Sequence, residues 1–464
     1  MTDYDVDDEK INIYKMLKYS PDYSSQVLSK AIFGVEDNKA EEKYAMNKDE
    51  ILIGFRNKYF NRGEEVTLNL NMISENGEMK SRIICIIGKK GSGKSVMGSV
   101  IADSFINKYK MPIFAVDPFG EFYTKKNPFA YDSDKKYQDF IDESLSYYNM
   151  KRHGLKCIVI APEFIGKQSN VDIYYKLTYY DFKLLAKYDS GEARSILANI
   201  LGIKDNYANI DLLASVMADK SIKNFSGLMR AMRRIQDRSI SVIYSSIRYK
   251  LEAGILSDGD KDSPDRCDIY KLMNEYDMVI FKGRLRNEVD DDYDTIIYNS
   301  FLKMAVSLIT NAQNRFISGD KDSEIRSKNG VLFLIDEADS VAPRVGNCSI
   351  RKTFEQLATK YRKALINIIM MVQDSEKLDE AFLDQSDYLI SSKVESVNKG
   401  VLLKRGISQE TIDNTLAELK QEQLTAINTK VNEFFVAGLN NDYKVFTPIC
   451  PLTDFFKTRS HSDR

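Results

Sequence analysis

Residues 82–95 read RIICIIGKKGSGKS. Five consecutive apolar residues, Ile83 to Ile87, run into Gly88-Lys89-Lys90-Gly91-Ser92-Gly93-Lys94-Ser95. The second half satisfies G-x-x-x-x-G-K-[ST], the phosphate-loop pattern, which is specific when it joins a strand to a helix. Both are expected here. The apolar run has the length and uniformity of a strand buried on both faces, and KSVMGSVIADSFINKY (94–109) continues as a helix. Glycines at 88, 91 and 93 let backbone N–H groups curl around a phosphate. Lys94 is placed to reach β- and γ-phosphates, the Ser95 hydroxyl to ligate Mg²⁺, and the helix N-terminus to add its dipole. The expected nucleotide contacts are Gly88, Lys89, Gly91, Ser92, Gly93, Lys94, Ser95 and Val96, with ATP and Mg²⁺ as ligands.

Outward from this loop the same alternation repeats. MPIFAVDPFGEF (111–122) and LKCIVIAP (155–162) are apolar runs of strand length. YDMVIFKG (276–283), GVLFLID (330–336), INIIMMVQ (366–373), YLISSKV (388–394) and NEFFVAGL (432–439) are further ones. Strands apolar on both faces and separated by helices predict a mainly parallel sheet covered on both sides. Residues 175–275 instead carry helical periodicity with no buried strand, which reads as a helical insertion. A long helix is expected over 293–315. Before the loop strand, EILIGFRNKYFNRGEEVTLNLNM (50–72) reads as strand, turn and strand, preceded by a polar helical stretch. The expected division is an N-terminal helical and short β extension over 1–80, core over 81–174, helical insertion over 175–275, core over 276–445 and a tail over 446–464. No internal repeat is present.

VLFLIDEADSVAPR (331–344) places two carboxylates at the end of an apolar strand. Asp336 can hold Mg²⁺ through water, and Glu337 can take a proton from an attacking water. Beside a phosphate loop this pairing implies ATP hydrolysis. The letters Asp-Glu-Ala-Asp do not make it a DEAD-box helicase. Asp336 follows Lys94 by 242 residues, Ser-Val-Ala follows, and only 128 residues remain, too few for a second complete domain.

The 464 residues carry a net charge of -2, which gives no general support for nucleic-acid binding. Any such contact must come from a local basic surface. MRAMRRIQDR, with Arg230, Arg233, Arg234 and Arg238, is the densest basic cluster, and a solvated or interface role suits it as well as a phosphate-contacting one. FKGRLRN, with Lys282, Arg284 and Arg286, is similarly open. Five scattered cysteines and two histidines speak against a zinc site and for a reducing compartment. The acidic N-terminus is unlike a signal peptide, and no apolar run reaches the ~18–20 residues of a membrane span. A soluble cytoplasmic protein without membrane insertion is expected.

With these residues in hand, the chain resembles the HerA–FtsK superfamily of P-loop motors, HerA-like ATPases in particular, from about residue 50 to 440. The loop strand, AVDPFGEF, FLIDEADSVAP and LATKYRKALINIIMMVQ carry the resemblance. It implies a RecA-like core and a homo-oligomer, a hexameric ring that hydrolyses ATP between subunits and pulls double-stranded DNA through its centre. Repair, genome packaging or conjugative transfer would be the setting, with a nuclease or transfer machine as partner. It also implies that Lys94 and Ser95 hold phosphate and metal, Asp336 the metal and Glu337 the catalytic water. Gln373 would sense the γ-phosphate, Arg362 would reach the neighbouring subunit's site, and Asp117 and Glu121 would lie near the nucleotide. Phe119 stands where relatives carry histidine, and Tyr361 where they carry glycine. From the residues alone, Arg362 falls at the edge of an apolar stripe (Phe354, Leu357, Ala358, Tyr361) on a helix expected over 351–364. A surface or dipole role is open to it, and Arg344 and Arg351 are the alternatives for the trans contact. Two other functions stay open: an ATPase energising a type IV secretion or pilus machine with protein cargo, and a P-loop switch that does not translocate.

Overall fold

The computed structural model describes residues 50–56, 64–70, 80–118, 120, 122–126, 142, 151, 153–166, 170–187, 191–203, 207–235, 237–259, 262–283, 293–345, 350–392, 399–418, 421–424, 429–438 and 443–448. The helical stretch expected before residue 50 lies outside them, as do Phe119, Glu121, Arg284 and Arg286.

In chain order the strands are β1 (Glu50–Arg56), β2 (Glu64–Asn69), β3 (Ile83–Ile87), β4 (Ile113–Asp117), β5 (Cys157–Pro162) and β6 (Ile173–Tyr175). Two short buried strands, β7 (Leu177–Thr178) and β8 (Leu256–Ser257), lie within residues 175–275, where none was expected. Then come β9 (Met278–Lys282), β10 (Val331–Ile335), β11 (Ile366–Val372), β12 (Tyr388–Ser391), β13 (Gln421–Leu424), β14 (Thr429–Asn432), β15 (Phe434–Ala437) and β16 (Tyr443–Pro448). Twelve of these form one sheet in the order β2-β1-β16-β15-β12-β3-β11-β10-β4-β9-β5-β6. From β12 to β6 every pairing is parallel. The other end, β15 to β2, is antiparallel. The fold is therefore α/β with a mainly parallel sheet, as the apolar runs predict. The antiparallel edge is an addition. It joins the N-terminal hairpin to the last strands, and β16 extends to Pro448, past the expected start of the tail at 446.

The continuous apolar runs are explained by two cores, one on each face. Successive side chains of a strand point to opposite faces. Ile83, Cys85, Ile87, Phe114, Val116, Phe333 and Ile335 pack into one core, which also takes the helices of the insertion. Ile84, Ile86, Ile113, Ala115, Leu332 and Leu334 pack into the other, against Met97, Val100, Ile101 and Phe105 of helix α1 (Lys94–Tyr109). At Gly98 a Cβ would come within 2.4 Å of Met371 Sδ, so any larger residue would force the Met371 side chain or α1 to shift.

Residues 175–275, expected to be a helical insertion, carry α2 (Tyr179–Lys187), α3 (Gly191–Leu201), α4 (Tyr207–Met217), α5 (Phe225–Met232), α6 (Arg238–Glu252) and α7 (Ile269–Glu275). The two ends of this segment are clasped together. β7 pairs with β8, and Arg266 Nε donates to Asp181 Oδ1 at 3.0 Å, both side chains about 95 % buried. The Thr178 N–H and hydroxyl complete the carboxylate's shell at 2.9 and 2.8 Å. Burial pushes the Asp181 carboxyl up from its ordinary range, and Arg266 partly offsets this. Arg266→Ala would leave that carboxylate buried without its cation. The expected loss is about 3–5 kcal/mol of stability, read as a fall in the urea midpoint, because removing one partner of a buried pair costs more than the pair contributes.

The long helix appears as α8 (Tyr293–Ile317). The helix expected over 351–364 ends earlier. Helix α9 (Arg351–Thr359) gives way to a 3₁₀ turn over Tyr361–Ala364, and Leu365 takes a left-handed φ of 57°. The tighter turn lets the Leu365 carbonyl accept from Val331 N at 3.1 Å, which sets the register of β11 on β10.

Candidate active site

In a parallel sheet the strand carboxyl ends line one edge, where ligands bind in α/β folds. Here that edge gathers the ends of β12, β3, β11, β10, β4 and β9. Gly88 leaves β3 with its N–H donated to Val372 O of β11 at 3.0 Å. A Cβ on Gly88 would sit 2.2 Å from Ser92 Oγ and 2.6 Å from Ser392 Oγ, so a side chain would fill the cradle. Gly93 caps α1 with φ 91°, which an L side chain resists. Lys89 and Lys90 are exposed at the rim, Ser92 and Lys94 are buried, and Ser95 and Val96 are half-buried. A glycine-lined concavity opening onto a helix N-terminus suits a phosphate group.

Facing the loop, Lys94 Nζ lies 3.2 Å from Glu337 Oε1. Gln373, one residue beyond β11, donates its Nε2 to both Glu337 oxygens at 3.1 and 3.2 Å. Residues separated by up to 279 positions in sequence, 94 to 373, thus meet on one carboxylate. Glu337 has a left-handed backbone, φ 48° and ψ 54°, an uncommon conformation for a non-glycine residue and one that clusters at functional sites. Asp336 is buried beside it, accepts the Glu337 N–H at 3.0 Å and donates its own N–H to Val116 O at 3.0 Å. The β10–β4 register sets Asp336 next to Asp117, which is fully buried and accepts from Phe122 N at 2.7 Å. The Ser95 hydroxyl and Asp336 carboxylate are hard oxygen donors of the kind Mg²⁺ takes.

Two side chains at this edge escaped the sequence reading. Ser392, just past β12, is buried beside Gly88, and its Oγ has no hydrogen-bond partner among the described residues. Lys282, left open between a phosphate-contacting and a solvated or interface role, is 7 % exposed and packs on Gly120 at the end of β9. Their signal was position alone, since each ends a parallel strand.

Arg362 lies elsewhere. Its NH2 donates to Asp387 Oδ2 at 3.0 Å and to Gln385 O at 2.8 Å. Asp387 also takes the Ile83 N–H at 2.8 Å, at the first residue of β3. Arg362 is therefore at the amino ends of the strands, roughly 17 Å along β3 from the phosphate loop at a strand's rise per residue. The side chain is 36 % exposed and does not reach this chain's own phosphate loop. Arg351 pairs with Asp379 at 2.5 Å and Arg344 with Glu380 at 3.7 Å, in the segment that follows the Asp336–Glu337 strand end. Among the described residues no helix is long and apolar enough to cross a membrane.

The family model described as "Helicase HerA, central domain" matches residues 60–305, just over half of the chain. No curated protein matches the sequence. Among solved structures, the chain is similar to VirB4 of Thermoanaerobacter pseudethanolicus at 11% identity, covering 87% of this chain and 96% of that one, with TM-score 0.46. It is similar to the bacterial conjugative coupling protein TrwB, lacking its N-terminal segment, at 13% identity, covering 89% and 95%, with TM-score 0.39. It is also similar to the genome packaging NTPase B204 from Sulfolobus turreted icosahedral virus 2 at 11% identity, covering 79% and 98%, with TM-score 0.33.

Proposed function

The chain belongs to the HerA central-domain family of P-loop ATPases, and from that footing we propose a motor that hydrolyses ATP to move duplex DNA, working as a hexameric ring. The observation that carries this is the Glu337 carboxylate held between the Lys94 ammonium and the Gln373 amide at the carboxyl edge of the sheet. A structural glutamate has no need of a strained backbone and two donors from elements distant in sequence. A general base has both needs, since it must be aimed and kept ionised.

In this reading Lys94 binds the β- and γ-phosphates, which compete with Glu337 for its ammonium. Engaging phosphate loosens the 3.2 Å contact and leaves the carboxylate to accept a proton from the attacking water. Gln373 keeps the carboxylate oriented and couples it to the γ-phosphate position. Ser95 and Asp336 are the residues that would hold Mg²⁺, which supplies charge neutralisation on the phosphates when bound. Asp117, buried next to Asp336, fixes the loop that follows β4 through the Phe122 N–H. In the same reading Arg362, which lies at the amino ends of the strands away from this chain's own loop, reaches a neighbouring subunit's site, so that each site is completed in trans.

ATP turnover measured with and without linear duplex DNA tests the cargo. Duplex is expected to accelerate turnover by the parent chain and to leave Lys94→Ala inactive in both conditions. Turnover indifferent to duplex would remove DNA as cargo, and unchanged turnover in Lys94→Ala would remove the site.

A further inference from the structure

A motor that grips a polyanion needs a cationic surface, and the chain as a whole, with net charge -2, does not offer one. One corner of the insertion does. Between residues 220 and 249 there are seven cations and one anion, Asp237. All seven (Lys220, Lys223, Arg230, Arg233, Arg234, Arg238, Arg248) are exposed, on α5, on α6 and at the turns flanking α5. The Asp237 carboxylate is committed to capping α6, accepting from Ser239 N at 2.7 Å.

The second observation concerns partners. Arg194, Arg248, Arg315, Arg344, Arg351 and Arg362 each have a carboxylate within 4.0 Å. Among the described residues, none lies within that distance of Arg230, Arg233, Arg234 or Arg238. Four exposed guanidiniums within nine residues of sequence, 230 to 238, thus have no carboxylate beside them among the described residues. Their scaffold is firm: Phe225, Leu228 and Met232 of α5 and Ile240, Ile243 and Ile247 of α6 are buried in the core of the insertion. Arg233 is further fixed by hydrogen bonding to the Tyr244 hydroxyl, with its guanidinium 5.1 Å from that ring. Exposed guanidiniums on a firm helical scaffold, without a carboxylate beside them among the described residues, are the chemistry that binds backbone phosphates.

We infer that the α5–α6 corner of the helical insertion contacts duplex DNA through its phosphates, using Arg230, Arg233, Arg234 and Arg238 without reading bases. This rests on the DNA cargo proposed above. Phosphate contacts position a protein on DNA and make its affinity salt-dependent, with a log–log slope of about −0.9 per contact. Exposed Val242 and Tyr249, 54 % and 59 % accessible, line the same helix and would suit a protein or membrane partner instead, so the test includes those outcomes.

The experiment measures affinity for a labelled duplex of mixed sequence from 50 to 200 mM salt. It compares the full-length parent, Arg230→Gln/Arg233→Gln/Arg234→Gln/Arg238→Gln, and the corresponding four Arg→Lys changes. The glutamine variant should lose up to about 3.6 from the slope, so that its affinity falls roughly a hundredfold less than the parent's across that range. The lysine variant should keep most of the slope, and ATP turnover without DNA should be unchanged in both. A triple variant that spares Arg233 and its Tyr244 contact covers the case of misfolding. A parent that fails to bind duplex removes the cargo reading and this inference with it. A parent that binds, with variants of equal slope, overturns the inference alone. Unaltered DNA binding with lost sedimentation on phosphatidylserine vesicles, or with altered oligomeric mass, would make the corner a lipid surface or a contact between copies, and would also overturn it.

Discussion

Glu337→Gln is expected to bind ATP as the parent does and to hydrolyse it about 10²–10⁴ times more slowly, the usual contribution of a positioned general base. The substitution is close to isosteric. The amide oxygen can still accept from Lys94, now 3.2 Å from Glu337 Oε1, and the left-handed backbone at 337 tolerates glutamine as it does glutamate. Asp336, Ser95 and Lys94 are untouched, so phosphate and metal binding should persist while the proton acceptor is lost. Nucleotide affinity from a fluorescent analogue, set beside steady-state turnover, separates the two effects. Turnover close to the parent's would take the catalytic role from Glu337. Gln373→Ala should slow turnover less, because it removes the orienting amide and leaves the base.

Arg362→Ala is expected to retain ATP binding and lose about 10³–10⁵ in rate, the range for a guanidinium supplied in trans to a P-loop site. Lysine should rescue poorly, since an ammonium lacks the planar fork. The fold should survive the change. Asp387 keeps the Ile83 N–H at 2.8 Å and Arg82 NH1 at 3.4 Å after Arg362 is gone, so its carboxylate is not left alone. That distinguishes a catalytic loss from unfolding, which circular dichroism and the urea midpoint would report. Mixing supplies the trans test. Subunits with Lys94→Ala carry an intact Arg362, and subunits with Arg362→Ala carry an intact loop. Mixed assemblies contain some interfaces with both, and partial return of hydrolysis is expected there. An Arg362→Ala variant that turns over like the parent would move the role to Arg344 or Arg351.

The parallel half of the sheet was legible because its strands are buried on both faces, which writes uninterrupted apolar runs such as Ile83–Ile87 and Val331–Ile335 into the sequence. The antiparallel edge was harder. That β1 pairs with β16 depends on a contact between residues about 400 positions apart, Gly54 with Pro448, which local pattern cannot reveal. The end of α9 was misjudged because the Phe354–Leu357–Ala358–Tyr361 periodicity runs on through the 3₁₀ turn. At the site, loop and carboxylates were legible from the phosphate-loop spacing and a strand ending in two acids. The Lys94–Glu337–Gln373 arrangement itself was not, because it is made by strand order. Lys282 in FKGRLRN stays open between a phosphate-contacting and a solvated or interface role until the β9–β4 register places it level with Asp117.

A composite site in a ring that encloses duplex DNA would be seen in a structure of Glu337→Gln assembled with ATP, Mg²⁺ and a duplex longer than the ring is deep. ATP is expected in the glycine-lined cradle of one subunit, Arg362 of the neighbouring subunit at its γ-phosphate, and duplex in the central channel. Arg362 still bound to its own Asp387 at every occupied interface, or duplex outside the assembly, would contradict this arrangement.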